Sequence, residues 1–338
     1  MWTRRALSAG AAAAVVTGCA IPSRKPPILV NLAQPGDLPP ADAGADLDTG
    51  ADLAGRVTAP VRINGQGPFD FVVDTGANRT VVTRELAEAL QLPPQGEAPV
   101  HGIAGVEPSA TALIDELVVG SVVSRRLRAP TLSRARLGCD GLLGVDVMRN
   151  RRVRLDFVRR SLTIDPSRAA SGGPSAFDLR RTGSGALPQP TSREVTAPAR
   201  YRFGQLIIID ADVAGRPVTA FLDSGSQSTV ANLALRRLVL GDAADPKLRR
   251  YVTPLYSVTG QTAQGEVAVL PPLRVGGLTL RGMQAAFADL HVFDIWQLQS
   301  RPTVLIGVDV MKSFEAITLD FGRREVTFTL PLSRRAVP

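Results

Sequence analysis

The sequence predicts a mainly β fold that is written twice along one chain of 338 residues. Two observations support this fold class. Short apolar segments alternate with turns rich in Gly and Pro, a pattern typical of barrel-like β lobes. A block of seven residues also recurs in the second half, after the same kind of upstream motif, which indicates an internal duplication. We therefore expect two similar β-barrel lobes with a cleft between them.

The repeated block reads LLGVDVM at residues 142–148 and LIGVDVM at residues 305–311, with six of the seven positions identical. Upstream of each block, an apolar run ends in a triplet of Asp, a hydroxyl residue and Gly. The first triplet is Asp74-Thr75-Gly76 and the second is Asp223-Ser224-Gly225. The order of triplet and block is kept, although the loop between them is longer in the second half. The two halves are therefore predicted to be two copies of one structural unit.

Each triplet is expected to follow a β-hairpin and to precede a short helix. Apolar segments around Gly-containing turns predict hairpins over residues 57–73 and 206–222. Apolar residues at helical spacing predict helices over residues 83–92 and 232–240. Further strands are predicted over residues 111–123 and 267–280.

Five segments are predicted along the chain: a signal peptide at 1–19, a flexible tether at 20–55, an N-terminal lobe at 56–165, a linker at 166–198 and a C-terminal lobe at 199–338. The tether and the linker are rich in Pro, Gly and Ala and lack a sustained helical or strand period. They therefore predict connections outside the two lobes.

The N-terminus has the features of a targeting segment. Arg4 and Arg5 precede a short apolar stretch that ends in Val-Thr-Gly before Cys19. This ending resembles a bacterial lipobox, which implies that Cys19 is lipidated and that the chain is held on the periplasmic side of the cell envelope. An ordinary secretory signal, which gives a soluble periplasmic or secreted protein, is the alternative. The Arg pair leaves open whether export uses the general or the twin-arginine route.

Composition excludes several classes of mechanism. The two cysteines, Cys19 and Cys139, are too few for a disulfide framework, and with two histidines they offer no zinc-site spacing. No acid, His and nucleophile lie together in a triad pattern. We therefore expect no metal and no cofactor, and we expect Cys139 to be a reduced core residue.

The net charge of +8 comes with short clusters of Arg. Such clusters can attract nucleic acid or anionic lipid, but more often they form a solvated surface. Aromatic residues make up only 5% of the chain and no basic run is interleaved with them, so nucleic acid is not an expected partner. Binding to an anionic surface stays open as a second alternative function.

The two aspartates of the triplets suit one kind of chemistry. Amide hydrolysis requires a group that deprotonates water and a group that protonates the carbonyl oxygen. Two carboxyls held close together share one proton, so that one acts as base and the other as acid. A Gly after the Asp permits a tight turn and a close approach of the two turns. Thr75 and Ser224 can hydrogen-bond between the lobes and hold the turns in register.

Residues 71–77 (FVVDTGA) resemble the active-site signature of retropepsin-like and pepsin-like aspartic proteases. The Leu-Leu-Gly and Leu-Ile-Gly starts of the repeated blocks are similar to the segment that packs beneath the catalytic turn in that superfamily. The resemblance covers about residues 57–330 and implies an aspartic endopeptidase with two aspartic-protease-type lobes and an active cleft between them. It implies that Asp74 and Asp223 are catalytic and that a peptide or protein is the substrate. Supporting roles are implied for Thr75, Gly76, Ala77, Ser224, Gly225 and Ser226.

The same resemblance implies a flap, a hairpin between each triplet and its block that closes over substrate. The candidates in the first half are His101, Gly102, Ile103 and Gly105. Those in the second half are Tyr256 and Gly260, where Tyr256 is either a flap tyrosine or a packed aromatic residue. Because both aspartates lie in one chain, no homodimer is needed to complete the site.

The residue after each triplet differs between the halves. A hydroxyl at this position can donate to the neighbouring carboxylate, which Ser226 can do and Ala77 cannot. We therefore expect Asp74 to keep its proton to higher pH, and activity to extend to weakly acidic or near-neutral pH. The alternative to a protease is an inactive lipoprotein of the same fold that binds peptide or serves as a scaffold.

Overall fold

The computed structural model describes residues 28–31, 55–159, 161–167, 194–202, 204–208, 211–241 and 251–331. These residues form a mainly β protein with six short helices. No helix in the described ranges is long and apolar enough to cross a membrane. The predicted fold class is confirmed.

The first half contains ten strands and three helices within the described ranges. The strands are β1 Ile28–Asn31, β2 Thr58–Ile63, β3 Gln66–Val73, β4 Val81–Thr83, β5 Pro94–His101, β6 Val106–Val119, β7 Val122–Leu132, β8 Gly141–Leu143, β9 Arg151–Asp156 and β10 Ser161–Pro166. The helices are α1 Arg84–Ala89, α2 Arg134–Leu137 and α3 Val145–Met148.

A closed barrel forms the N-terminal lobe. Its strands follow the order β2-β3-β8-β4-β7-β6, and β2 pairs again with β6 to close the ring. Residues alternate along β2 between a buried set, Ala59, Val61 and Ile63, and a more exposed set, so that its apolar side faces the barrel interior. The turn from β2 to β3 contains Asn64 and Gly65, both at positive φ, which suits a two-residue hairpin.

The second half has fourteen strands and three helices within the described ranges. The strands are β11 Glu194–Arg202, β12 Gln205–Ile208, β13 Ala211–Val213, β14 Arg216–Pro217, β15 Thr219–Leu222, β16 Val230–Ala231, β17 Tyr251–Tyr256, β18 Thr262–Val269, β19 Leu273–Val275, β20 Leu278–Arg281, β21 Gln284–Phe287, β22 Thr303–Ile306, β23 Ala316–Asp320 and β24 Glu325–Thr329. The helices are α4 Leu233–Leu240, α5 His291–Ile295 and α6 Val308–Met311.

The C-terminal lobe repeats this plan in two sheets. One sheet has the order β12-β15-β22-β16-β21-β18-β17, and the other has the order β1-β20-β19-β13-β14. The first part of the hairpin predicted over 206–222 is divided between β12 and β13, and the segment predicted over 267–280 is divided among β18, β19 and β20. β12 and β18 lie in the first of these sheets, and β13, β19 and β20 lie in the second.

A sheet of strands from both halves joins the lobes. Its order is β10-β9-β23-β24-β11, and β11 continues into the C-terminal lobe by pairing with β12. At its centre β9 and β23 pair antiparallel, with Arg154 opposite Thr318. β9 ends in Leu155-Asp156 and β23 ends in Leu319-Asp320, which is the same pair of residues in each half. The duplication in the sequence therefore becomes an approximate two-fold relation in the structure.

Two segments contain strands where the sequence analysis expected none. β1 lies within the predicted tether of 20–55 and pairs in parallel with β20. β11 begins at Glu194, within the predicted linker of 166–198, because its residues pair with β24. No local pattern indicates either strand, because the partner strands are distant in sequence. The predicted signal peptide, including Cys19, lies outside the described residues.

Candidate active site

Each triplet lies at the end of a buried strand beside a parallel strand from the repeated block. β3 pairs in parallel with β8, and β15 pairs in parallel with β22. The backbone N–H of Asp74 donates to the Leu143 carbonyl at 3.0 Å, and that of Asp223 donates to the Ile306 carbonyl at 3.0 Å. The strand before each aspartate is apolar because both of its faces are covered. The same local structure therefore places both aspartates.

The two hydroxyl residues cross between the lobes. The Thr75 hydroxyl donates to the Leu222 carbonyl at 2.8 Å, and the Ser224 hydroxyl donates to the Val73 carbonyl at 2.7 Å. Each hydroxyl oxygen also accepts the backbone N–H of the other residue, at 3.0 and 3.1 Å. Thr75 and Ser224 are 1% and 0% exposed, so these bonds are shielded from water. They lock the two turns together, as the sequence analysis expected of this pair.

The two glycines bring each turn against the opposite aspartate. A Cβ added at Gly76 would lie 2.5 Å from Oδ1 of Asp223, and one added at Gly225 would overlap the carboxyl of Asp74. Any larger residue would push the carboxyls apart. The carboxyls of Asp74 and Asp223 therefore face each other across the boundary between the lobes.

Backbone groups hold each carboxyl in place. Oδ1 of Asp74 accepts the N–H groups of Gly76 at 2.8 Å and Ala77 at 2.9 Å. Oδ1 of Asp223 accepts the N–H of Gly225 at 3.0 Å. These donors come from the turn itself, so the positions of the carboxyls are fixed by the backbone.

Burial raises the pKa of both carboxyls. For Asp74, burial outweighs the hydrogen bonds from Gly76 and Ala77, which lower the pKa. For Asp223, burial and then the negative charge of Asp74 raise the pKa to about 7. Two interacting carboxyls titrate as a unit, so the raised pKa values belong to the pair, which keeps a proton into the near-neutral range.

The expected contribution of the Ser226 hydroxyl is not made. This hydroxyl donates to the Ser228 carbonyl at 2.8 Å, within its own loop. Ser226 lowers the pKa of Asp223 only through its backbone N–H. The argument that Ala77 and Ser226 make the two carboxyls differ through a hydroxyl is therefore wrong, because the serine side chain has a closer local acceptor.

A second layer of repeated contacts supports the turns, and the sequence analysis missed it. The Thr80 hydroxyl donates to Asp146 at 2.8 Å and accepts the Gly144 N–H at 3.1 Å. In the other lobe, Thr229 donates to Asp309 at 2.9 Å. Each Thr lies six residues after its aspartate, and each Asp belongs to the repeated block. That recurrence was the signal that could have identified them.

Two further residues near the pair of aspartates lie outside the repeated motifs. The Gln205 side chain donates to the Gly76 carbonyl at 2.9 Å and to Asn78 at 3.0 Å, which ties the first turn to the second lobe. The buried Arg56 donates to the Leu137 carbonyl at 2.6 Å, and its charge lowers the pKa of both carboxyls. Neither residue could be found from the sequence, because each occurs once and its partners are distant along the chain.

The candidate flap of the first half (the first flap) is the tip of the β5–β6 hairpin, residues 101–106. The Gly102 N–H donates to the Gly105 carbonyl at 2.8 Å and closes the turn. Ile103 reaches the other lobe and packs on an apolar cluster that contains Phe221 and Trp296. The structure therefore brings the predicted residues of the first half together in one hairpin tip that rests on the C-terminal lobe.

The candidate flap of the second half (the second flap) is the tip of the β17–β18 hairpin, residues 256–262. Its Val258 packs on the N-terminal lobe against a cluster that contains Val72 and Leu142. Gly260 approaches the guanidinium of Arg136, so that a Cβ there would lie 2.8 Å from its Cζ. The two tips also touch each other, because a Cβ at Gly102 would overlap the hydroxyls of Ser257 and Thr259. Tyr256 is 76% exposed and is not enclosed with the aspartate pair.

The remaining chemical groups lie apart from this pair. Cys139 is buried, and its Sγ lies 3.1 Å from the Gly141 carbonyl oxygen. Among the described residues, no three His, Cys, Asp or Glu side chains form a group that could hold a metal ion.

Two β lobes joined through paired Asp-hydroxyl-Gly turns define a protein of the aspartic-protease type. A family model described as "Aspartyl protease" matches residues 59–147 and 209–310, which is more than half of the chain. The chain belongs to this aspartyl protease family. The two matched segments are the two halves of the duplication.

Similar solved structures include an aspartic proteinase from Irpex lacteus, at 14% identity and a TM-score of 0.44, over 85% of this chain and 96% of that one. Basic 7S globulin from soybean is 9% identical with a TM-score of 0.38, over 84% of this chain and 94% of that one. A search of curated proteins found no match.

Proposed function

We propose that the protein is an aspartic endopeptidase that hydrolyses peptide bonds with a water molecule activated between Asp74 and Asp223. The observation that carries the proposal is the close approach of the two carboxyls. Each faces the glycine of the opposite turn, and both have raised pKa values. A pair in this state supplies one base and one acid at the same point.

In this mechanism the ionised carboxyl takes a proton from the attacking water. The protonated carboxyl donates its proton to the carbonyl oxygen of the scissile bond. The N–H groups of the turns fix both carboxyls, and the Thr75–Ser224 bonds keep the lobes in register. The two flaps cover the substrate from the side of the cleft opposite the pair.

The test is peptide cleavage by the full-length protein in detergent, with a mixed peptide library between about pH 3 and 8. Asp74→Asn and Asp223→Asn are each expected to reduce cleavage by about 10²–10⁴-fold, because each removes an acid–base group. Asp70→Asn is the matched control, since Asp70 is exposed on the same strand, four residues before Asp74. This control is expected to cleave like the parent.

The rival function is an inactive peptide-binding or scaffold protein of the same fold. Absence of cleavage at every pH by a folded parent would favour that rival. The second alternative is binding to an anionic surface through the exposed Arg clusters. These clusters define no specific binding site, whereas the paired turns define a specific site for the proposed protease.

We also propose that the chain is anchored to the cell envelope through a lipid on Cys19, on the periplasmic side. Cys19→Ser is expected to abolish incorporation of radiolabelled palmitate in bacterial cells and to move the protein from the membrane to the soluble fraction. Cys139→Ser is the control, because it removes the other cysteine and leaves the lipobox intact. Equal labelling of the parent and Cys19→Ser would contradict the anchor.

A further inference from the structure

The chain has two histidines, and the structure brings them together from different lobes. His101 lies at the base of the first flap, and His291 begins helix α5 of the C-terminal lobe. Nδ1 of His101 is 2.9 Å from Nε2 of His291. The ring centroids are 5.2 Å apart and the ring planes differ by 12°, so the rings lie nearly parallel with these nitrogens facing each other. This is a hydrogen bond between a flap and the lobe that the flap covers.

A second hydrogen bond joins the same two segments. The Val292 N–H, in the first turn of α5, donates to the Ile103 carbonyl at 3.3 Å. The first N–H groups of a helix have no partner within the helix, so the flap carbonyl supplies one. The Ile103 side chain packs on the apolar cluster that contains Trp296, and Trp296 is the residue that follows the end of α5. The histidine pair therefore lies where the first flap is seated on the opposite lobe.

We propose that His101 and His291 form a proton-sensitive latch that holds the first flap closed. A neutral imidazole has one N–H donor and one acceptor nitrogen, so two neutral rings can share one hydrogen bond. A pair with a single extra proton keeps that bond. When both rings are protonated, both facing nitrogens are donors and both rings are positive, so the bond is lost and the rings repel each other. The latch is therefore closed near neutral pH and opens in acid, within the pH range where histidines commonly change charge.

Other charged groups on the surrounding elements do not replace the latch. On the flap hairpin, Glu107 is paired with Arg136 at 2.8 Å. On the segment of His291, Asp294 accepts a hydrogen bond from Gln299 at 2.7 Å, and Asp289 lies two residues before the histidine. The second flap meets the first with the neutral side chains of Ser257, Thr259 and Gln261. The two imidazoles are thus the groups at this contact that can gain charge between pH 5 and 8.

The latch belongs to one flap only. In the second half, Tyr256 ends β17 as His101 ends β5, but its side chain is 76% exposed. In this duplicated fold, the histidine pair therefore links the first flap, and not the second, to the opposite lobe. The contact between the two histidines does not depend on the proposed catalysis. The effect of the latch on substrate entry rests on the proposed function.

The latch can be tested by nitrogen NMR of the imidazole rings in the full-length protein, because the signals come from only two histidines. Near neutral pH we expect the parent to show the scalar coupling between Nδ1 of His101 and Nε2 of His291 that a shared hydrogen bond transmits, and to lose it in acid. In His101→Phe or His291→Phe, no such coupling is expected at any pH. A parent that lacks this coupling near neutral pH, or that keeps it in acid, would overturn the proposal. Because this measurement needs no activity, its outcome is separate from that of the protease test.

Trp296 reports whether the flap is seated. In a full-length Trp2→Phe background it is the single tryptophan, and it lies in the cluster that Ile103 covers. We expect its emission to shift to the red as the pH falls from about 7.5 to 4.5, since the opened flap exposes the cluster. His101→Phe is expected to remove this step, and Tyr256→Phe, the matched change on the second flap, is expected to keep it. The same pH response in His101→Phe as in the parent, or no response in the parent, would overturn the latch.

Discussion

At the residue scale, burial and hydrogen bonding act in opposite directions on Asp74 and Asp223. Burial penalises the charged form of both carboxyls, whereas the N–H groups of the turns favour it. Burial is the larger effect in both cases, so the pKa values are raised. The pair therefore keeps a proton into the near-neutral range, which is the state that the proposed mechanism requires.

The first residue-scale prediction concerns the pH dependence of cleavage. The acid of the pair must be protonated, and the pKa of Asp223 is raised to about 7. We therefore expect kcat/KM to fall as the pH rises through about 7, and to fall again in acid when the base also gains a proton. The measurement is kcat/KM on one peptide between about pH 3 and 8.

Ser226→Ala is the informative control for that profile. Its hydroxyl donates to the Ser228 carbonyl, so the midpoint near pH 7 is expected to stay where it is in the parent. A profile that peaks below about pH 3, in the range of the lower pepsin-type ionisation, would contradict the raised pKa values.

The second residue-scale prediction concerns the bonds between the turns. Thr75→Ala leaves the Leu222 carbonyl and the Ser224 N–H without their buried partner. Because each of these two unsatisfied buried groups costs about 1–3 kcal/mol, we expect the free energy of unfolding to fall by about 2–6 kcal/mol. Urea denaturation measures this loss. Thr75→Ser keeps the hydroxyl and is expected to stay within about 1 kcal/mol of the parent; an equal loss in both variants would argue that the methyl group matters instead.

At the element scale, the sequence predicted the duplication but did not predict the contacts between the two copies. The order of triplet and block predicted two copies of one structural unit, and the apolar spacing predicted α1 and α4. The pairings of β1 with β20 and of β11 with β24 were missed, because a strand partner distant in the chain leaves no local pattern. The crossing of each flap to the opposite lobe was missed for the same reason.

The element-scale prediction concerns the glycine that begins the α3 turn. A Cβ at Gly144 would overlap the backbone of Arg79 and Thr80, which hold the first triplet loop. Gly144→Ala is therefore expected to lower the free energy of unfolding by about 1–3 kcal/mol, the usual cost of overpacking, and to reduce cleavage. Thermal unfolding and the peptide assay measure the two effects.

Gly215→Ala is the comparison for Gly144→Ala. Gly215 has open space around its Cβ position and a φ of +78°, so only backbone strain opposes the substitution. We expect a loss of about 1 kcal/mol and parent-like cleavage. Parent-like stability of Gly144→Ala would show that the triplet loop can shift without cost.

At the scale of the whole molecule, the contacts that join the lobes include three sets that involve both copies of the duplicated unit. The β9–β23 pairing forms the centre of a shared sheet, the Thr75–Ser224 bonds join the triplets, and the flaps rest on opposite lobes. All three lie within one chain. The duplication thus supplies in one polypeptide both copies of the triplet that the proposed active site needs.

The whole-molecule prediction is that activity does not require a second copy of the chain. Since one chain carries both aspartates, cleavage per molecule is expected to stay constant when the protein is diluted from micromolar to nanomolar concentration. The assay is initial rate against protein concentration, at fixed peptide and detergent. Mixing Asp74→Asn with Asp223→Asn gives the matching control, because two inactive chains that exchanged lobes would restore a complete pair. Linear rates and no recovery in the mixture support a site built within one chain; a rate that rises with the square of concentration, or recovery on mixing, would mean that the active pair forms between chains.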